Sequence, residues 1–280
     1  MKIDSHQHFW NYSAAAYPWI GTGMERLAGD FLSAELEAVA RPVGVVGSVA
    51  VQARQSLDES RWLLSLADRD PFIHGVVGWV DLQSERVAED LVALARHEKF
   101  VGVRHVVQDE PDPRFMLGDA FVQGVRMLHQ FGLTYDLLLY SHQLPAAIEL
   151  VGLVPEQPFV LDHLAKPPIK SPQKAGELAA WRRDIETLAR HDNVCCKLSG
   201  LVTEAAWRQW KPADFTPVLD VALAAFGPGR LMFGSDWPVC LLSAEYAEVV
   251  GIIDDFISTL TPAEQSLIWA DTACRVYRIR

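Results

Sequence analysis

Uninterrupted apolar runs alternate with amphipathic stretches along most of the chain. Val45 to Val51 shows no polar alternation and closes at Gln52, the pattern of a strand covered on both faces, as in parallel sheets. Further strand candidates, with more polar interruptions, occupy Ile3 to His8, Phe72 to Val80, Phe100 to Val106, Leu133 to Leu139, Phe159 to His163, Asn193 to Ser199 and Arg230 to Ser235. Helical spacing fills the gaps. Ser33 opens a helix with Leu36, Val39 and Ala40 inward, stopped by Pro42 and Gly44. Asp58 caps one carrying Leu63, Leu66 and Ala67, and Ser84 caps one carrying Val87, Ala88, Leu91, Leu94 and Ala95. Asp119 caps one carrying Phe121, Val125 and Leu128, which Gly132 ends. Another helix falls near Leu144 to Leu150, and a loop with Lys166, Pro167, Pro168 and Pro172 leads into one burying Leu178, Trp181, Ile185 and Leu188. Thr216-Pro217 reads as a cap and first-turn pair, and Thr261-Pro262-Ala263-Glu264 as a capping box opening the second of two closing helices.

Eight strands alternating with helices over 280 residues predict one domain, residues 1–280, folded as a (β/α)8 TIM-type barrel rather than an open doubly wound sheet. The first strand-helix junction carries neither a GxGxxG nor a GxxxxGK[ST] fingerprint, so nucleotide-binding open sheets have no support. Phe9 to Gly29, rich in aromatic, Gly and turn residues, predicts a long, distorted loop at the C-terminal face, of the kind that lines pockets.

Charge narrows the partners. The chain carries 25 Lys and Arg against 36 Asp and Glu, a net charge of −11, which opposes binding to phosphate backbones; no basic run overrides it. Nucleic acid is excluded on this reading. No secretory signal pattern and no long apolar span occurs, so no membrane partner and a cytoplasmic location are expected. Cys195, Cys196, Cys240 and Cys274 lack paired CxxC spacing and read as buried, reduced thiols.

Barrel chemistry gathers at the C-terminal ends of the strands. Those ends supply His6 and His8, Gln52, Trp79 and Asp81, Arg104 and His105, Tyr135 and Asp136, His163, Lys197 and Asp236. Strand alternation puts Asp4, His6 and His8 on one inward face, and pairs Leu161 with His163 and Gly234 with Asp236. Asp162 then faces the helices. One of Arg104 and His105 faces the axis, and spacing leaves both open. Asp4, Asp81 and Asp162 are equally explained as loop or helix caps.

His6-Gln7-His8-Phe9-Trp10, Val160-Leu161-Asp162-His163-Leu164-Ala165-Lys166-Pro167, Lys197-Leu198-Ser199-Gly200 and Phe233-Gly234-Ser235-Asp236-Trp237-Pro238 together resemble the amidohydrolase superfamily. Within it they resemble the branch of sugar-lactone hydrolases that act on L-fucono- and L-rhamnono-lactones, related to the 2-pyrone-4,6-dicarboxylate lactonases. Thr272-Ala273-Cys274-Arg275-Val276-Tyr277 is similar to that family's last helix. The likeness spans nearly the whole chain.

The resemblance implies that His6, His8, His163 and Asp236 are the positions that hold one divalent ion in metal-using relatives. Three imidazoles and a carboxylate suit zinc. No lysine at a strand end between His8 and His163 supplies a bridging carbamate, and Lys197 stands where metal-dependent decarboxylases place a histidine. Two states of the cofactor therefore stay open, one divalent ion or none required. For lactone hydrolysis, Asp236 is the expected base toward water. His6, His8, His163 and Lys197 are expected to polarise the carbonyl or deliver a proton, and an inward Arg104 to stabilise the oxyanion. Gln52, Trp79, Arg104, His105, Tyr135 and Trp237 are the expected substrate-binding residues. Nine Trp and few candidate arginines favour a neutral sugar lactone over a dicarboxylate. A metal-dependent decarboxylase or amide hydrolase on the same barrel, or a non-catalytic sugar-binding barrel, are the competing readings.

Overall fold

A computed structural model describes residues 1–169 and 175–279; Pro172 lies outside the described residues. The strands are β1 (Lys2–Gln7), β2 (Val45–Val51), β3 (Ile73–Gly78), β4 (Phe100–Val106), β5 (Thr134–Leu138), β6 (Phe159–Leu161), β7 (Val194–Leu198) and β8 (Leu231–Phe233). The helices are α1 (Ser33–Ala40), α2 (Leu57–Arg69), α3 (Val87–Leu94), α4 (Asp119–Gln130), α5 (Leu144–Leu153), α6 (Ala175–Leu188), the short α7 (Leu201–Glu204), α8 (Pro212–Phe226), α9 (Tyr246–Ile257), α10 (Pro262–Ser266) and α11 (Thr272–Tyr277). All strands pair in parallel in the order β1 to β8. The ring closes where Gln7 bridges Trp237 and the Asp236 amide donates to the His6 carbonyl at 2.8 Å. This is the expected (β/α)8 barrel.

Both strand faces are buried, for different partners. The outer face packs Ala50, Val76, Val103, Leu137, Leu161, Leu198 and Phe233 against the helices. The inner face at the N-terminal end packs Ile3, Val49, Val51, Val77, Val160, Cys195 and Met232 around Ala270, Ala273, Tyr277 and Ile279. The end of the chain thus plugs the floor of the barrel. A covered sheet of this kind explains why β2 and β4 begin and end where their apolar runs do.

Local signals at helix ends fared unevenly. Ser56, not Asp58, accepts the Glu59 amide and caps α2, because an N-cap must sit one residue before the first helical turn. The α8 helix starts at Pro212, so Thr216-Pro217 lies inside it. Val39 is exposed, whereas Leu36 and Ala40 face inward. The box at Thr261 holds, with Glu264 accepting the Thr261 amide at 2.9 Å. The closing stretch after α9 is broken by a π-turn, Leu267–Asp271, between α10 and α11. In the long first loop, Trp10 pairs with Phe31 in an antiparallel bridge and stacks edge-on with Trp19 and Phe31.

Candidate active site

Three irregularities aim the side chains at the mouth of the barrel. First, β1 carries one extra residue between Asp4 and Gln7 relative to β2, a bulge that shifts the alternation. His6 and His8 point to the axis, with their Nε2 atoms 3.2 Å apart. Asp4, expected beside them, turns away and accepts from Tyr246 on α9 at 3.0 Å. Second, the pairing of β3 with β4 skips Val101, and the change of phase puts Arg104 inward and His105 outward. Third, β6 stops at Leu161, and His163, Leu164, Ala165 and Lys166 all adopt left-handed backbone, with φ of 51° to 55°.

That last feature corrects the expectation for Asp162. Val160 lies on the inner face and Leu161 on the outer, so Asp162 continues inward, while the reversed backbone swings His163 to the same place. Asp162 is fully buried; its Oδ1 lies 3.2 Å from His6 Nδ1 and its Oδ2 3.1 Å from Arg104 Nη1. Left-handed backbone costs roughly 1–2 kcal/mol per non-glycine residue, and surrounding contacts must hold it. Here Ser199 Oγ pairs with His163 Nδ1 at 2.8 Å, and the Trp181 indole donates to the Leu164 carbonyl at 2.7 Å. Gly200 permits the approach, since a Cβ there would lie 2.6 Å from His163 Nδ1. Gly234 does the same for β1, where a Cβ would lie 2.6 Å from His6 Cβ.

Asp236, itself at φ 59°, completes the cluster. Its Oδ1 lies 3.4 Å from His8 Nε2 and 3.8 Å from both His6 Nε2 and His163 Nε2. The ring nitrogens that face away are held: His8 Nδ1 donates to the Val51 carbonyl at 2.8 Å, His163 Nδ1 meets Ser199, and His6 Nδ1 meets Asp162 and, at 3.2 Å, Lys197 Nζ. Each imidazole therefore presents Nε2 to one small volume. Donor atoms of His6, His163 and Asp236 all lie within 4.8 Å of one another, and with His8 they make the borderline nitrogen and oxygen set that suits zinc, with outer nitrogens braced as metal-bound imidazoles are. Arg104 Nη1, 3.3 Å from His6 Nε2, also faces that nitrogen.

Beneath the cluster lies a buried ionic layer. Lys197 Nζ is 2.6 Å from Asp136 and 3.0 Å from Asp162, and Tyr277 donates to Asp136 at 2.6 Å. Arg104 also donates to the Gln52 carbonyl, and Gln52 Nε2 donates to the Arg104 carbonyl at 3.3 Å. Burial pushes His163 down to about 4, with Asp236 and Asp162 opposing that shift. Burial likewise holds His6 well below the usual histidine range, against the pull of Asp162. Burial alone would raise Asp236, yet the attraction of His163, the hydrogen bond from His8 and the pull of His6 hold its carboxyl below the usual range. An ionised carboxylate thus faces His6 and His163, whose imidazoles burial keeps neutral.

Other expected residues lie elsewhere. Tyr135 packs on the outer face against Phe121 and Phe159, because Asp136 takes the inward position on β5. His105 stacks on Phe115, pairs with Glu110 at 2.7 Å and receives the Trp79 indole at 3.4 Å, which ties β3 to the loop after β4. Trp237 is 3% exposed and packs on Phe9 and Phe31. Sequence reasoning missed Asp162 and Ser199 as neighbours of the cluster, and named Asp136 only as a strand-end alternative. A cavity of about 570 Å³ lies between the segments after β5 and β6 and helix α6, lined by Tyr140, His142, Lys166, Trp181 and Glu204 among others, and no side chain of the cluster is among its described lining.

The amidohydrolase family model matches residues 3–279. The chain belongs to the amidohydrolase family. It is 45% identical to an L-fucono-1,5-lactonase of Burkholderia multivorans, covering 100% of this chain and 96% of that protein. An L-fucono-1,5-lactonase of Burkholderia ambifaria is 33% identical over 99% of this chain and 96% of its own length. Among solved structures, an amidohydrolase from Burkholderia multivorans with bound zinc superposes with a TM-score of 0.95 at 44% identity, covering 100% of both chains. No helix among the described residues is long and apolar enough to cross a membrane.

Proposed function

We propose that this amidohydrolase opens a sugar lactone of the aldonolactone type, L-fuconolactone or a close analogue, by attack of water on the ester carbonyl. The observation that carries the reading is the Asp236 carboxylate ringed by the Nε2 atoms of His6, His8 and His163, in a chain 45% identical throughout to an L-fucono-1,5-lactonase. Asp236 accepts a proton from water as the water oxygen bonds to the carbonyl carbon. The carbonyl oxygen becomes an oxyanion facing the Arg104 guanidinium, whose Nη1 reaches the cluster beside His6 Nε2. Collapse breaks the bond to the ring oxygen, and the proton held by Asp236 passes by way of His163 to that oxygen, so lactone plus water gives the open acid. A carboxylate of lowered pKa is a weak base, and its work rests on alignment.

His6, His8, His163 and Asp236 are the residues that would hold one divalent ion, zinc by donor type; when bound, the ion supplies Lewis acidity and lowers the pKa of water. A neutral ring fits better than a dicarboxylate, because Arg104, the inward arginine of the cluster, is already paired with Asp162 and Gln52. Four unpaired cysteines suit a reducing compartment and support a cytoplasmic enzyme acting on a small molecule.

A panel of aldonolactones and 2-pyrone-4,6-dicarboxylate, assayed with and without chelator, tests the proposal. L-fucono- and L-rhamnono-lactones should open faster than the dicarboxylate. The reverse order, or no ester opening at all, would defeat it. Activity that survives chelation would show that no ion is required; loss restored by zinc would show that one is.

A further inference from the structure

Asp4 lies behind the cluster rather than in it, fully buried at the seam where β1 meets β8. Its carboxylate accepts four hydrogen bonds, and their sources are unusual. Oδ1 takes the backbone amide of His6 at 3.1 Å and that of Ser235 at 2.9 Å. Oδ2 takes the Ser235 hydroxyl at 2.5 Å and the Tyr246 hydroxyl at 3.0 Å. Ser235 Oγ in turn accepts the Trp237 amide at 2.9 Å. One oxygen therefore binds the backbone of a cluster histidine and the backbone of the residue next to Asp236. Both neighbours of Asp236 are tied to Asp4, directly or through Ser235, while Asp236 itself sits in left-handed backbone that its surroundings must enforce.

We propose that Asp4 is a positioning residue whose carboxylate fixes the separation of His6 on β1 from Asp236, just beyond the end of β8. All four partners donate to the carboxylate, two of them backbone amides that can do nothing else. An asparagine can keep both backbone amides on its oxygen only by turning its NH2 on the two hydroxyls, which must then reverse and lose the acceptor they donate to. The kinetic form of this proposal rests on the lactonase reading.

Asp4→Asn, assayed well below its own melting temperature, should lose about 10- to 100-fold in kcat, the scale of a misplacement of about 1 Å, with KM changing far less. A folded variant with lowered melting temperature but wild-type kcat would make Asp4 merely structural and overturn the proposal. Should Asp4→Asn fail to fold, Tyr246→Phe and Ser235→Ala decide: each should lower kcat at constant KM, Ser235→Ala more, and unchanged kcat in both overturns it. If the wild-type protein opens no lactone, the lactonase reading fails separately. The position is then read from crystal structures, where Asp236 in the folded variant should move away from His8 and His6, and an unmoved Asp236 would count against Asp4.

Discussion

The two halves of the barrel interior are made by the same strands with opposite chemistry. On β6, β7 and β5 a single inward step separates Val160 from Asp162, Cys195 from Lys197, and Thr134 from Asp136. Below that step Met232, Val77 and Ile3 close on the plug formed by Ala273, Tyr277 and Ile279; above it no inward side chain of the cluster lacks an ionic or hydrogen-bonding partner. The lower half holds the shape with non-directional contacts, which tolerate small shifts. The upper half is expensive to bury, and it persists because the lower half and the helices already fix where each strand ends. Tyr277 joins the two, with its ring in the plug and its hydroxyl on Asp136.

Changing Asp236, the carboxylate at the top of the upper half, should have the largest effect. Asp236→Asn keeps size and hydrogen bonding but removes the proposed base, and kcat should fall by roughly 10²- to 10⁴-fold with the melting temperature nearly unchanged. A variant keeping more than about a tenth of wild-type turnover, under 1.4 kcal/mol of lost transition-state stabilisation, would move the role of base to His163. Lys197→Met in effect raises the apolar half by one layer. It leaves Asp136 and Asp162 short of a cation, and urea titration should show a loss of about 3–5 kcal/mol. Undiminished stability would mean that the border between the halves lies higher than Lys197.

Acidity gives the smallest and most graded test. Folded His163 takes its proton at about 4, against 6.5 for an unperturbed histidine, so the unfolded chain binds the proton first and stability is lost as pH falls from 6.5 toward 4. His6 acts in the same direction. Asp4 opposes them: burial raises its folded pKa to about 6 from 3.8, so it adds stability as pH falls through that interval. The melting temperature should decline on acidification below 6.5, and Asp4→Asn should steepen the decline by removing one of the opposing carboxyls; Asp136 and Glu59, which burial also raises, are others. A midpoint that rises across this range would contradict the neutral state of the imidazoles.

The lower half was the more legible in sequence. Strands covered on both faces leave continuous apolar runs, and those of β2 and β4 matched at both ends. His6, His8, His163 and Asp236 stood among a dozen strand-end residues, and the resemblance to the amidohydrolases singled them out; the structure brings their side chains together. What failed depended on phase. The extra residue in β1 that turns Asp4 aside, the skipped Val101 that selects Arg104 over His105, and the left-handed turn that admits both Asp162 and His163 are each set by neighbouring strands. Asp-His-Leu-Ala-Lys contains no glycine to announce such a turn.

The seam between β1 and β8 also bears on how the protein is made. His6 and Asp236 are supplied from near opposite ends of the chain, and Asp4 cannot receive Ser235 or Tyr246 until those residues have emerged. During synthesis β1 has only β2 to pair with, and its other edge, carrying Asp4, waits while nearly the whole chain is translated, on the order of ten seconds or more at ordinary elongation rates. A nascent chain of this protein therefore carries an open strand edge and an unsatisfied carboxylate for most of its time on the ribosome, and the reactive centre is among the last parts of the molecule to come into being.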